Sequence, residues 1–233
     1  MEPLLESLAE FTPSPEASVS TQVLSAVRST ILYGEFKPGR RLSEQEIARL
    51  MRVSRQPVRE AFIRLAADGL VEIRWRRGTF VSKISVREVY DSRFVRESVE
   101  ADLARLAARN ITVEMRESLE KILAQQSSDA ARDPLHFMGL DEALHRTLAE
   151  AAGKPQIWAY LQKLKSQLDR VRFLVAVDLP IKELIAQHQD IVRAVVEQNE
   201  DGAEKAMRLH LRQVLEDLPK IAESYPDYFS SHD

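Results

Sequence analysis

The chain has 233 residues, room for two modest domains, and its 44% hydrophobic and 30% charged content is that of a globular protein rather than a disordered or fibrous one. It holds no cysteine, which rules out disulfides and thiolate metal sites and fits a reducing cytoplasm. The net charge of −3 conceals an asymmetry: residues 18–85 carry 13 Lys and Arg against 6 Asp and Glu, a formal +7, and the remainder carries 20 against 30, or −10. A basic module joined to an acidic body fits a nucleic-acid partner for the basic part.

Residues 1–17 are acidic, are punctuated by Pro3, Pro13 and Pro15, and lack the basic start and apolar core of a signal peptide. They are expected to form a flexible tail. From Ser18 to Tyr33, Val23, Ala26, Val27 and Ile31 recur on one face of a predicted helix that ends at Gly34. Ser43 then caps a short helix bearing Ile47, Leu50 and Met51, with Glu46 completing a capping box. After a turn at Arg52 and Val53, Ser54 can cap a second helix with Pro57 in its first turn and Val58, Ala61, Phe62 and Leu65 on its buried side. Arg55, Gln56 and Arg59 are left on the outer face at the helix start, where a recognition helix meets base edges in the major groove. Gly69 ends that helix. Leu70–Arg74 and Thr79–Ser82 read as a two-stranded wing whose tip, Trp75-Arg76-Arg77-Gly78, is basic. Residues 18–82 therefore read as a winged helix-turn-helix, with 83–85 as a linker.

Val86 to Ala108 is strongly helical, with Val89, Val95, Val99, Leu103 and Leu106 on one side. Further helical patterns occupy 112–127, 134–152, 155–178, 180–199 and 201–223, and no strand signal follows the wing. Residues 86–225 are expected to form an all-α bundle of about six helices, making the fold mainly α. No run approaches the ~18 apolar residues that span a bilayer, so no membrane association is expected and the protein is expected in the cytoplasm.

Asp141 and His145 lie four apart on one predicted helix, so both project from the same face about one turn apart. His188 and His210 lie on later helices. Three imidazoles and a carboxylate suit Zn²⁺ or another borderline divalent ion such as Ni²⁺, with a position left open; Asp141 is either a ligand or the orienter of a histidine.

Glu46-Ile47-Ala48, Val53-Ser54-Arg55-Gln56-Pro57-Val58-Arg59-Glu60-Ala61, Arg64-Leu65, Asp68-Gly69-Leu70-Val71 and Arg77-Gly78-Thr79-Phe80-Val81 together resemble the winged helix-turn-helix of GntR-family transcription regulators. The bundle resembles the helical ligand-binding FCD domain of the FadR-like branch. There, an Asp, a His four residues on and two later His bind a metal, a pattern matched by Phe137…Leu140-Asp141…Leu144-His145, His188 before Ile191, and His210-Leu211. His136 and His232 fall outside the pattern. The resemblance further implies a small organic-acid effector at or near the metal. Arg96, or Arg93 one turn earlier, would clamp its carboxylate, unless each merely pairs with Glu97 or Glu100. Trp158, Tyr160 and Phe173 are taken as ordinary core.

The expected protein is thus no enzyme but a homodimeric regulator, read as a repressor, that binds a pseudo-palindromic DNA operator under effector control. Its DNA contacts are expected from Ser54, Arg55, Gln56, Arg59, Arg76, Arg77, Gly78 and Thr79. Competing readings are a metal-dependent hydrolase or oxygenase, because an open three-His site also serves catalysis, and an architectural DNA-binding protein without an effector.

Overall fold

The computed structural model describes residues 8–129, 134–176, 180–213 and 218–230. The chain divides into two compact units: Met1–Glu88 with Ser166–Leu174 and Ala222–Asp233, and Val89–Lys165 with Val175–Ile221. The fold is mainly α with one small antiparallel sheet.

In the first unit, α1 (Val19–Leu32) starts at Ser18, whose Oγ accepts the Thr21 N–H at 3.2 Å, and it buries Val23, Leu24, Val27 and Ile31. β1 (Arg41–Leu42) precedes α2 (Glu44–Leu50), whose cap Ser43 accepts the Glu46 N–H at 3.3 Å. α3 (Arg55–Ala67) buries Val58, Ala61, Phe62 and Leu65, the four positions the periodicity selects. Ser54 occupies its N-cap, but the side chain makes no capping bond. β2 (Val71–Arg74) and β3 (Gly78–Val81) form the wing, and β1 pairs with the other edge of β3 to give the order β1-β3-β2. The expected two-stranded wing is thus three-stranded, because a two-residue strand is too short to display alternation.

The flexible-tail expectation lies partly outside the described residues, which begin at Leu8. From there on it does not hold: Leu8 is fully buried in the core with Val27, Phe36, Met51, Phe62 and Leu65, Phe11 packs against that cluster, and the Ser14 N–H donates to Gln22 Oε1 at 2.8 Å. Burying an apolar side chain offsets the entropy of ordering the segment that carries it.

Two later segments complete this unit. Helix α8 (Ser166–Leu174) packs against α1: Arg28 Nη2 donates to Ser166 Oγ at 2.7 Å, and the Tyr33 and Phe173 rings meet edge to face at 4.5 Å. Gln167 Nε2 donates to the Gly69 carbonyl at 3.1 Å. In the expected linker, Ile84 is buried and forms a parallel bridge to Phe229; its N–H donates to the Tyr228 carbonyl at 2.8 Å, and its carbonyl accepts the Ser230 N–H at 2.9 Å.

The second unit contains most of α4 (Val86–Asn110), then α5 (Val113–Asp129), α6 (Pro134–Ala151), α7 (Pro155–Leu164), α9 (Ile181–Val196), α10 (Glu200–Gln213) and the start of α11 (Leu218–Ser224). Its core gathers Leu103, Leu119, Leu144, Leu148, Trp158, Ile191, Val195, Met207 and Leu211. α6 ends at Gly153, whose φ of 70° lets the Lys154 N–H reach back to the Ala149 carbonyl at 2.9 Å. The single helix expected over 155–178 is two. It breaks at Lys165, where the Leu164 carbonyl accepts Ser92 Oγ at 2.8 Å and the buried Lys165 ammonium pairs with Glu142. These tertiary bonds favour ending α7 there. The 201–223 pattern appears as α10 and α11, with 214–217 outside the described residues.

Candidate nucleic-acid interface and metal centre

Helix α3 turns its apolar stripe into the core and leaves the polar start exposed. Ser54, Arg55, Gln56 and Arg59 are all solvent-facing. Arg55 pairs with Glu44 at 3.2 Å and Gln56 donates to Glu60 at 3.0 Å. Exposed contacts of this kind are worth little, so they leave these side chains available to a ligand at low cost.

At the wing tip, Arg76 takes φ 58° and its guanidinium lies 4.0 Å over the ring of Trp75, which is 78% exposed. Arg77 is exposed as well. Gly78 takes φ 109°, and a Cβ there would lie 3.0 Å from Arg41 Nε. One expected contact is corrected. Thr79 is buried, because it shares the inward face of β3 with Val81, so its side chain belongs to the core. Two residues beside the expected wing contacts, Trp75 under Arg76 and Arg41 beside Gly78, are not among the contacts expected from sequence. The first was legible as an aromatic inside a basic turn; the second becomes adjacent to Gly78 only through the β1–β3 pairing.

In the bundle, five helices converge on one buried polar cluster. Asp141 and His145 sit on α6, in the stripe that also carries Phe137, Leu140, Leu144 and Leu148; His188 comes from α9 and His210 from α10. All four are at most 5% exposed, and one donor atom from each lies within 4.8 Å of the others. His145 Nε2 is 3.3 Å from His210 Nε2, and His188 Nε2 is 3.3 Å from Asp141 Oδ1.

The opposite ring nitrogens explain this convergence. His145 Nδ1 lies 2.5 Å from Glu100 Oε2, His188 Nδ1 is 2.9 Å from Gln126 Oε1, and His210 Nδ1 is 2.9 Å from Gln187 Oε1. The glutamine acceptors behind His188 and His210 select the Nδ1–H tautomer and turn each Nε2 lone pair toward the shared centre, and the Glu100 carboxylate faces the same ring nitrogen of His145. Gln187 is itself bonded by its amide nitrogen to Gln213. Burial, followed by the neighbouring His188 and His145, pushes His210 well below its ordinary value, so it is neutral, as a ligand must be. Burial alone would raise Glu100, but Arg96 and then His145 overcome it and hold the carboxyl at about 2. This donor set, three imidazoles and one carboxylate, fits a divalent metal ion.

Arg96 is buried and donates Nε to Glu100 Oε1 at 2.5 Å and Nη2 to Oε2 at 3.3 Å. Arg93 pairs with Glu97, which also accepts Arg212 Nε at 2.8 Å. Both arginines therefore engage the carboxylates that the sequence sets beside them. Trp158 is core and stacks on His145 with centroids 6.0 Å apart; Tyr160 is exposed, contrary to expectation, and Phe173 packs in the winged unit. His136 is exposed, and His232 lies outside the described residues. The residues missed here are Glu100, Gln126 and Gln187, whose spacing to their histidines follows no local rule.

Comparison with known proteins decides the family. The profile of bacterial regulatory proteins of the gntR family matches residues 19–81, and that of the FCD domain matches residues 91–213. The HTH-type transcriptional repressor RspR of Escherichia coli (strain K12) is 37% identical over 219 residues, covering 93% of this chain and 96% of that protein. The chain belongs to the GntR family. As a GntR regulator with an FCD domain it is a transcriptional regulator and not an enzyme, so the hydrolase and oxygenase reading falls away. A second relative, an uncharacterised HTH-type transcriptional regulator in an unstable DNA locus of Streptomyces ambofaciens, is 37% identical over 207 residues, 88% of this chain and 87% of its own length. The structure of E. coli McbR/YncC shares the fold of this GntR chain with TM-score 0.75 at 18% identity, covering 90% of this chain and 99% of that one. Among the described residues, no helix is long and apolar enough to cross a membrane.

Proposed function

We propose that this regulator is a cytoplasmic, homodimeric repressor that binds a pseudo-palindromic operator and is controlled by a small organic acid at a metal site in the bundle. The observation that carries the reading is the buried cluster of Asp141, His145, His188 and His210, with every histidine oriented from behind by its own acceptor. These four residues would hold the ion, Zn²⁺ or Ni²⁺ being the best matches to imidazole-rich ligation. Bound there, the ion supplies a Lewis-acidic point for an effector carboxylate. Arg96 is favoured over Arg93 as the clamp because it shares Glu100 with His145.

On the DNA side, Arg55, Gln56 and Arg59 read base edges from the start of α3, Ser54 contacts the adjacent phosphate, and Arg76, Arg77 and Gly78 bring the wing to the backbone or minor groove. The name of the relative RspR supports the sign of regulation. Effector and operator are then linked reciprocally, each changing the other's affinity by the same factor.

The test combines metal analysis, melting and operator binding. The purified protein should contain a divalent metal that H145A/H188A lacks. A carboxylate from a panel of mono-, di- and sugar acids should raise the melting temperature of the metal-loaded form only, and weaken binding to a duplex selected from a random pool. Full metal content in H145A/H188A overturns the site. A stabilising acid that leaves duplex affinity unchanged overturns the control.

A further inference from the structure

Strand β1 hands the wing a cation from outside the wing's own stretch of sequence. It pairs antiparallel with β3, with Arg41 opposite Phe80 and Leu42 opposite Thr79. Opposite residues of a ladder share a face, so Leu42 joins Thr79 in the core and Arg41 joins Phe80 on the outward face. Gly78, two residues before Phe80, lies on that outward face too. A Cβ on Gly78 would lie 3.0 Å from Arg41 Nε, 3.5 Å from Nη2 and 3.6 Å from Cζ, so the guanidinium rests on the bare glycine.

Arg41 is exposed, and among the described residues no carboxylate pairs with it. The arginine on the other side of β3 is committed. Arg74, opposite Gly78 in the register, donates Nε to Glu72 Oε2 at 2.9 Å and stands 4.7 Å over the Phe80 ring. Of the two arginines that flank β3 on this face, Arg41 is the one left for an anion. Resting a long side chain in one place without a counter-charge does little for the free protein, whereas a guanidinium already placed loses less freedom when an anion arrives. The surroundings are basic: Arg76 and Arg77 are exposed at the same tip, and residues 18–85 carry a formal +7. Such a surface draws a polyanion, and the planar fork of an arginine matches the oxygens of a phosphate.

We propose that Arg41 is a further DNA contact that grips a backbone phosphate beside the wing, and that Gly78 serves this contact by leaving room for the guanidinium. The inference rests on the DNA-binding reading above and adds a residue from outside the helix-turn-helix and the wing turn. The role of Arg41 is positional: a phosphate clamp fixes how the wing sits on the duplex and is blind to base sequence.

The test uses the full-length protein with the duplex selected from a random pool and with a random duplex of the same length. Affinities are read by fluorescence anisotropy from about 50 to about 300 mM KCl. R41Q should weaken both duplexes alike, by about tenfold at the lowest salt, and flatten the slope of log K against log salt by about 0.9 for each winged unit bound. G78A should weaken binding by displacing the guanidinium, and should weaken R41Q less, because there is no guanidinium left to displace. A wild-type slope in R41Q overturns the proposal. So does a loss confined to the selected duplex, which would make Arg41 a base contact. Equal losses from G78A in both backgrounds overturn the role given to Gly78. R59A separates this failure from that of the underlying reading: R59A weakened on the selected duplex with R41Q unchanged removes Arg41 alone, whereas a wild type that binds neither duplex removes both.

Discussion

Replacing Glu100 by Gln tests the electrostatics behind the histidine cluster. Arg96 and Glu100 are 3% and 2% exposed, and the guanidinium engages both carboxylate oxygens. Gln preserves the shape and keeps an oxygen for His145 Nδ1, but withdraws the charge opposite a buried cation. Breaking one side of a buried pair costs about 3–5 kcal/mol. With a urea slope of about 2 kcal/mol per M, the midpoint falls by roughly 1.5–2.5 M. Arg96→Met together with Glu100→Gln leaves no isolated ion and should return to within about 1 kcal/mol of the wild type. Trp158 is the reporter, being buried against the His145 ring, and the background carries Trp75→Phe because Trp75 lies in the wing. EDTA is present throughout, so that a bound ion does not add stability of its own. A loss below about 1 kcal/mol in E100Q, or a double variant as unstable as the single one, refutes the reasoning.

Gly78→Ala should cost about 1–3 kcal/mol, since alanine strains at φ 109° and the nearby Arg41 side chain can move aside; a Trp75-monitored melt identical to the wild type contradicts this. Arg59→Ala should lose about 1–3 kcal/mol on the selected duplex and little on random duplex by fluorescence anisotropy, whereas equal loss on both would make Arg59 a phosphate contact. His210 refuses a proton that the unfolded chain accepts, so apoprotein stability should be full above the ordinary value of 6.5 and decline as pH falls through it; urea midpoints that stay level from pH 7.5 to 5.5 count against a neutral buried ring. Leu8→Ala should destabilise the winged unit by about 2–5 kcal/mol, and an unchanged melt would show that the segment contributes nothing to the core.

The helix-turn-helix was legible because its signals are local: Ser43 caps α2, and the spacing of Val58, Ala61, Phe62 and Leu65 defines the buried face of α3. The Asp141–His145 pair was legible for the same reason, lying one turn apart on a single helix. What escaped depends on partners remote in the chain. Arg41–Leu42 becomes a strand only against Phe80 and Thr79, the break at Lys165 depends on Ser92, and Thr79 faces inward through sheet register that no short window reveals. Gln126 holds a histidine 62 positions away, and a polar residue on a helix surface looks the same in sequence whether or not it does so. The acidic, proline-marked start suggests a loose end, yet from Leu8 onward Leu8 and Phe11 pack into the core.

The unit that carries the recognition helix is assembled from three separate lengths of chain. A protease or a cloning boundary placed after Ser85 would not release a finished DNA reader. Such a fragment would bare the side of α1 that α8 covers, strip Ile84 of both backbone bonds, and leave the Ser82 carbonyl without Arg170. To transplant this reader onto another sensor, the graft has to bring Ser166–Leu174 and the stretch from Ala222 with it. The exchangeable cassette is the interlaced set, not the contiguous first third of the gene product.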